Sequence, residues 1–299
     1  MTVVQLSIDA SLVRRLVAVQ FPQWADLPVR PVAQGGWDNR TFHLGEQMLV
    51  RLPSAQRYAS QVEREQCWLP KLAPRLPVAI PEPLAMGEPA FGYPWKWSVY
   101  RWIEGQPLAQ VQGGNLITIA RDLATFLSAL QAIDATGGPR SGQHSFHRGG
   151  SLSIYTVETR SAVEALGDRV DAGLAMQVWD RAIQSSWDRP PVWVHGDVAA
   201  GNLLVQAGRL IGVIDFGQLS VGDPACDLVM AWTHFDLEVR NTFRSALKLD
   251  PESWARGRGW ALWKALLVAA GQTNTHAAEA KSCWHTINEV LTDHTRAES

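Results

Sequence analysis

Val192-Trp193-Val194-His195-Gly196-Asp197-Val198-Ala199-Ala200-Gly201-Asn202-Leu203-Leu204-Val205, followed by Gly212-Val213-Ile214-Asp215-Phe216-Gly217, is the stretch that decides the fold of this 299-residue chain. An apolar strand runs into His-Gly-Asp, an Asn stands five residues after the Asp, and two short apolar strands lead to Asp-Phe-Gly. Transfer of a phosphoryl group asks a protein for positioning and charge neutralisation more than for covalent chemistry. One carboxylate has to face the acceptor hydroxyl and take its proton. A second carboxylate and an amide oxygen have to hold Mg²⁺ across the phosphates, because hard oxygen ligands suit that ion. Asp197, Asp215 and Asn202 supply this set in the order and spacing of a kinase catalytic loop and its metal-binding Asp.

The run His-Gly-Asp-x-x-x-x-Asn with the later Ile-Asp-Phe-Gly resembles the aminoglycoside phosphotransferase family, whose relatives include choline kinases and macrolide phosphotransferases. His-Gly-Asp stands where protein kinases have His-Arg-Asp. A third block, Gly222-Asp223-Pro224-Ala225-Cys226-Asp227-Leu228, is similar to the run that follows the metal Asp in that family. The resemblance reaches from about Gln34 to Asp227 and implies an α+β, bilobal, protein-kinase-like fold, with a small β-rich N-terminal lobe and a larger, mainly helical C-terminal lobe. It implies that Asp197 is the catalytic base or orienting residue, that Asn202 and Asp215 bind Mg²⁺, and that ATP or GTP is the phosphoryl donor. His195 then supports the loop. Asp227 is expected to cap a helix and to hydrogen-bond the catalytic loop's backbone, two duties that can coexist.

Upstream of this core, Gln34-Gly35-Gly36-Trp37-Asp38-Asn39 reads as a turn between strands, with strand from Val32 and again over Arg40–Leu44. By the resemblance it is the flap over the phosphates, so Gly35, Gly36 and Asn39 are expected to contact the nucleotide, glycine allowing close backbone approach. Met48–Leu52 is the next strand, and Arg51 on it stands where kinases of this fold carry a phosphate-gripping Lys. Arg keeps the charge but is longer and forked. Its partner is Glu65 or Glu63 on the helix read over 58–72, with Glu65 favoured by helical phase. Trp97–Trp102 reads as a strand, and by the resemblance its end at Tyr100-Arg101-Trp102 is the hinge whose backbone meets the purine, with Ser98 and Tyr100 among the nucleotide contacts and Trp97 and Trp102 beside the base.

Outside these blocks, residues 7–20 form an amphipathic helix capped by Ser7 or Asp9, with Leu12, Val13, Leu16 and Val17 as its buried stripe. The proline-studded stretch 74–94 is extended or turned. The break at Ile103-Glu104-Gly105 divides a nucleotide-binding lobe, 1–103, from a catalytic and acceptor-binding lobe, 104–299. Beyond it, 116–132, 156–186, 226–246 and 252–295 read as helices, 137–150 as a loop, and 192–215 as two short hairpins. A β-rich first third followed by a helical remainder is the α+β pattern.

Composition narrows the remaining choices. With 46% apolar and 19% charged residues and a net charge of -2 the chain is globular, and no Lys/Arg run suggests a nucleic-acid partner. No uninterrupted apolar run is long enough to span a membrane. Cys67, Cys226 and Cys283 lack metal-ligand spacing and read as buried free thiols in a reducing, cytoplasmic compartment. The N-terminus lacks the basic-then-apolar order of a signal peptide. Neither GxxxxGK[ST] nor GxGxxG occurs, which removes the usual rival nucleotide folds.

The expected partners are a nucleotide and a small-molecule hydroxyl acceptor. An aminoglycoside comes first, met by carboxylates such as Asp236, Glu238, Asp250 and Glu252. The alternatives are a macrolide, to which Trp232, Trp254, Trp260 and Trp263 lend apolar surface, or a metabolite such as an amino alcohol, sugar or homoserine. A nucleotide-binding interaction module without catalysis is the competing class, and intact Asp197, Asn202 and Asp215 argue against it.

Overall fold

Asp9, rather than Ser7, starts the first helix: its side chain accepts the Leu12 N–H at 2.9 Å, so α1 runs Ala10–Gln20. The computed structural model describes residues 7–32, 38–273 and 277–298. Cα proximity groups the chain into two compact units, Met1–Gly105 with Ile211–Gly217, and Gln106–Leu210 with Gln218–Ser299.

In the first unit the strand expected from Val32 lies earlier, as β1 (Val29–Pro31). β2 (Asn39–Leu44) and β3 (Met48–Pro53) follow, then α2 (Gln56–Leu72), β4 (Pro83–Gly87) and β5 (Trp97–Arg101). The five strands form one antiparallel sheet in the order β1-β2-β3-β5-β4. The register places Arg51 opposite Thr41 on one side and Ser98 on the other. β5 is an inner strand buried at Trp97, Ser98, Val99 and Tyr100, which explains its unbroken apolar reading. β4 emerges from the proline-rich stretch at the sheet edge, where a Pro without an N–H is tolerated, and its pairing shifts register between Pro83 and Ala85. The stripe Leu12, Val13, Leu16 and Val17 of α1 packs with Phe42, Leu44, Val50, Leu52, Trp97 and Val99 into this unit's core.

Ile211–Gly217 joins the first unit by a main-chain clasp: Ala79 N–H donates to the Ile211 carbonyl (3.1 Å) and Val213 N–H to that of Ala79 (2.9 Å). Asp215 thereby belongs to the same body as β3 and α2.

The second unit opens with β6 (Gln106–Pro107) and α3 (Leu116–Gln131), and continues through α4 (Thr156–Leu166), α5 (Ala172–Ile183), β7 (Val192–Val194) and β8 (Leu203–Gln206). β9 (Arg209–Val213) carries the chain into the first unit, and β10 (Ser220–Gly222) lies beyond its return. α6 (Met230–Thr233), α7 (Leu237–Leu247), α8 (Pro251–Ala269) and α9 (Ala277–Glu298) complete it. β8 and β9 share a sheet with β6, whereas β7 pairs with the distant β10, Trp193 opposite Val221, so the two expected hairpins reduce to one.

The long helical readings are also divided. The stretch 156–186 breaks where Asp171 caps α5 by accepting the Leu174 N–H (2.9 Å). The stretch 226–246 is a 3-10 turn, the short α6, and then α7 capped by Asp236 on the Val239 N–H (3.0 Å). Asp250 caps α8 through the Ser253 N–H (2.7 Å), and the helix read over 252–295 stops at Ala269. α8 is buried on nearly every face from Ser253 to Val268, with α4, α5 and α9 against it. Its two interior arginines are each matched to a carboxylate, Arg256 to Asp223 (2.7 Å) and Arg258 to Asp293 (3.0 Å).

Candidate active site

In the second unit β7 delivers Val194 into a fixed loop. Gly196 has φ of +83°, and a Cβ there would lie 2.8 Å from the Gln218 carbonyl and 3.2 Å from Arg148 Cβ, so glycine is required by conformation and by space. Asp227, wholly buried, accepts the N–H of His195 (2.8 Å) and of Gly196 (2.7 Å) through its two oxygens. His195, also buried, accepts the Asp197 N–H at Nδ1 (3.2 Å). Asn202, on a 3-10 turn before β8, donates Nδ2 to the Asp197 carbonyl (2.9 Å) and to Asp197 Oδ2 (3.2 Å). Its side-chain carbonyl is therefore turned away from Asp197. Burial pushes the Asp227 carboxyl above its usual range, against the opposing pull of His195, the two backbone N–H groups and Arg148.

The expected helix-capping duty of Asp227 falls to Asp223, which accepts the Ala225 N–H at 3.0 Å. Both oxygens of Asp227 go to the loop backbone instead.

In the first unit Arg51 uses its fork to join two carboxylates. Nη1 lies 3.3 Å from Glu65 and Nη2 2.9 Å from Asp215. The hydroxyl of Tyr100 donates to the other Glu65 oxygen. Of the two candidate partners it is Glu65, on the inner face of α2, that meets Arg51; Glu63 is exposed and pairs with Lys96 at 2.6 Å. Burial alone would lower the pKa of Arg51, but Glu65 and Asp215 outweigh it and hold the guanidinium protonated. Burial raises the Glu65 carboxyl, with Arg51 and Tyr100 pulling the other way. Asp215 has φ of +66°, left-handed backbone for a residue with a side chain, and that side chain is 33% exposed.

The structure thus brings Arg51, Glu65, Tyr100 and Asp215 together in one unit, and His195, Asp197, Asn202 and Asp227 in the other. Ser98 is buried, and its hydroxyl accepts from Gln66 at 3.0 Å. Asn39 points to Gln61 (3.5 Å). Gly35 and Gly36 lie outside the described residues. Trp97 is core, packed where a Cβ on Gly87 would come within 2.0 Å of its ring, and Trp102 rests against His43 with ring centroids 4.4 Å apart.

Two residues around Asp215, Gln61 and Arg64, escape the sequence reading, and a third, Asp38, enters it only as part of the flap. Gln61 donates to Asp38 (3.0 Å), and Arg64 donates to the Gly217 carbonyl (3.2 Å). Burial raises the Asp38 carboxyl, and the Asp215 charge adds to the rise. Gln61 and Arg64 precede Glu65 by four and one residues, so the i, i+4 spacing from Glu65 marks Gln61 as a neighbour on its face.

Among the described residues no group of three His, Cys, Asp or Glu side chains is arranged to cage a metal. A hard cation held largely by phosphates and water needs one or two protein oxygens. The part-exposed Asp215 carboxylate in the first unit is a donor of that kind, and so, taken by itself, is the Asn202 side-chain carbonyl in the second; each has the chemistry to fit Mg²⁺.

The chain is 29% identical over 146 residues to an aminoglycoside 3'-phosphotransferase of Escherichia coli, 46% of this chain and 51% of that protein. It thus spans about half the length of the curated relatives it matches. Among solved structures it superposes on the GDP and kanamycin complex of APH(2")-IIia with a TM-score of 0.72 at 19% identity, covering 94% of this chain and 99% of that one. It superposes on the apoenzyme of a macrolide 2'-phosphotransferase from Brachybacterium faecium with a TM-score of 0.60 at 20% identity, covering 94% and 98%. The α+β, protein-kinase-like fold is common to all three. Residues 29–262 match the phosphotransferase enzyme family, and the chain belongs to that family.

Proposed function

We propose that this protein transfers the terminal phosphoryl group of a Mg-bound nucleotide, ATP or GTP, to a hydroxyl of a small molecule. The observation that carries the reading is the loop in which Asp227 pins His195 and Gly196 while Asn202 faces Asp197. A carboxylate held this way is pre-oriented toward a proton donor at fixed height above its own backbone. In the transfer the acceptor oxygen forms its bond to phosphorus as the bond to the nucleoside diphosphate breaks, and the hydroxyl proton passes to Asp197. Asn202 and Asp215 would hold Mg²⁺, which neutralises phosphate charge when bound. Arg51, positioned by Glu65 and Tyr100, offers its guanidinium to the phosphates. His195 and Asp227 keep the loop in register.

An aminoglycoside acceptor is supported by what the curated relative is named for, and a macrolide by one of the solved structures. Of the four carboxylates expected to receive a polyamine, Asp236 and Asp250 cap helices and Glu252 pairs with Arg181 at 3.3 Å.

Asp197→Asn tests the reading. Binding of Mg-nucleotide, followed by calorimetric titration, should stay near that of the parent, because the metal ligands remain. Transfer to a panel of hydroxyl compounds that includes kanamycin and erythromycin should fall by on the order of 10²–10⁴-fold. Asp215→Ala should lose both together. Transfer by Asp197→Asn at the parental rate would sink the mechanism.

A further inference from the structure

The loop between α3 and α4 has no part in the chemistry described so far, yet it is built against the catalytic loop. The Gly149 carbonyl accepts the Asp223 N–H (2.8 Å), and the Ser220 hydroxyl donates to the Arg148 carbonyl (2.8 Å). Arg148 Cβ is 3.2 Å from where a Cβ on Gly196 would stand. Residues 137–150 carry Arg140, His144, His147 and Arg148 and no Asp or Glu.

Two consecutive residues of this loop, Phe146 and His147, sit at φ of +48° and +54°. Side chains other than Gly rarely adopt that backbone, and it persists where surrounding contacts over-determine it. Here the Tyr155 hydroxyl donates to the Phe146 carbonyl at 2.8 Å, and the Tyr155 ring stacks on Trp263 with centroids 4.0 Å apart. The Arg148 guanidinium lies 4.7 Å from the Trp260 ring centre and 5.0 Å from that of Trp263. Its Nε and Nη1 are buried with no hydrogen-bond partner. The turn so fixed leaves Phe146 43% exposed, and the adjoining segment exposes Ile154 and Val157. Glu158 is one carboxylate at this wall, where the Trp263 indole N–H donates to it at 3.2 Å, and the buried Asp227 feels the Arg148 charge from the catalytic-loop side.

We propose that the turn Phe146–Arg148, braced by Tyr155, is the acceptor-selecting element of this protein, and that it selects a hydroxyl compound with an apolar face and few or no ammonium groups. This rests on the phosphotransferase reading above. A cationic loop repels a polyamine brought to Asp197, since like charges at a part-buried surface oppose binding strongly. A rigid exposed aromatic ring rewards an apolar face at low entropic cost.

Tryptophan-fluorescence titration of the full chain tests it with three probes: kanamycin as a polycation, erythromycin as a singly charged molecule with a large apolar face, and salicin as a neutral aryl glycoside. The parent should bind erythromycin or salicin more tightly than kanamycin. Phe146→Gly removes the ring while keeping a residue at ease with positive φ. It should weaken the better of those two probes by on the order of tenfold and leave kanamycin unchanged. His147→Glu should shift preference toward kanamycin. Kanamycin as the tightest probe overturns the proposal, as do three probes that all fail to bind or a Phe146→Gly protein with parental affinities, provided that nucleotide is still consumed. A parent that consumes no nucleotide overturns the phosphotransferase reading instead.

Discussion

Arg51 sits on β3 with one nitrogen on Glu65 and the other on Asp215, a reach that depends on its fork. Lysine offers a single point charge and cannot serve both carboxylates in that geometry. Arg51→Lys is therefore expected to keep Glu65 and release Asp215, at a cost of about 1.5–3 kcal/mol in charge-assisted contact. Nucleotide titration should show a loss of roughly tenfold or more with the fold intact. Parental affinity would mean that the contact to Asp215 does not serve the phosphates. The pairing of Arg51 with Glu65 could be read from helical phase, because Glu63 and Glu65 differ by 200° around α2. The contact to Asp215 could not, since 164 residues separate the two and no periodicity links them. Gln61 went unassigned for a similar reason: it is an ordinary polar residue until Asp38 and Gly217 are placed beside it.

At the scale of elements, α8 was legible as helix but not as the helix around which the second unit is arranged. Its apolar, basic and glycine residues are buried alike, so no single face stands out in its pattern. The helix ends before and after it were blurred because periodicity spans a break, whereas an Asp accepting an N–H three residues on creates one, as at Asp171, Asp236 and Asp250. Gly259 gives a sharp test of the packing. Alanine there gains about 1 kcal/mol of helix propensity. Its Cβ would also lie 2.6 Å from Ala182 Cβ on α5, which has no flexible end to move aside. Overpacking of that kind costs about 1–3 kcal/mol, so Gly259→Ala should be destabilising on balance. A thermal melt that rises on substitution would show that α5 and α8 are not packed this closely.

For the whole molecule, pH exposes which buried groups the fold has constrained. Burial lowers the pKa of His234 below its ordinary 6.5, so the unfolded chain takes up a proton that the folded chain resists. The stability tied to His234 is complete above pH 6.5 and is lost as pH falls below it, at a rate of at most about 1.4 kcal/mol per pH unit and less for a ring still partly hydrated. Asp227, Asp223 and Glu65 are raised by burial and act in the opposite sense toward acid, where their protonation favours the fold. Comparison of the parent with His234→Phe cancels those carboxylates. Denaturant midpoints measured from pH 7.5 to 5.5 should fall less steeply in the variant, and parallel curves would count against a buried, neutral His234.

The return of Ile211–Gly217 to the first unit has a consequence for the order in which the protein is made. The chain leaves that unit at Gly105 and comes back to it only at Ile211. A nascent chain that has completed all five strands of the first sheet still lacks Ile211 and Val213, whose main chain clasps Ala79, and Asp215, the second acid on Arg51. Emerging from the ribosome, the N-terminal sheet must wait through the synthesis of α3, α4 and α5 before it is finished. Severing the chain at Gly105 would therefore not yield a self-sufficient module, because one strip of the first unit, Ile211–Gly217, is translated only after most of the second.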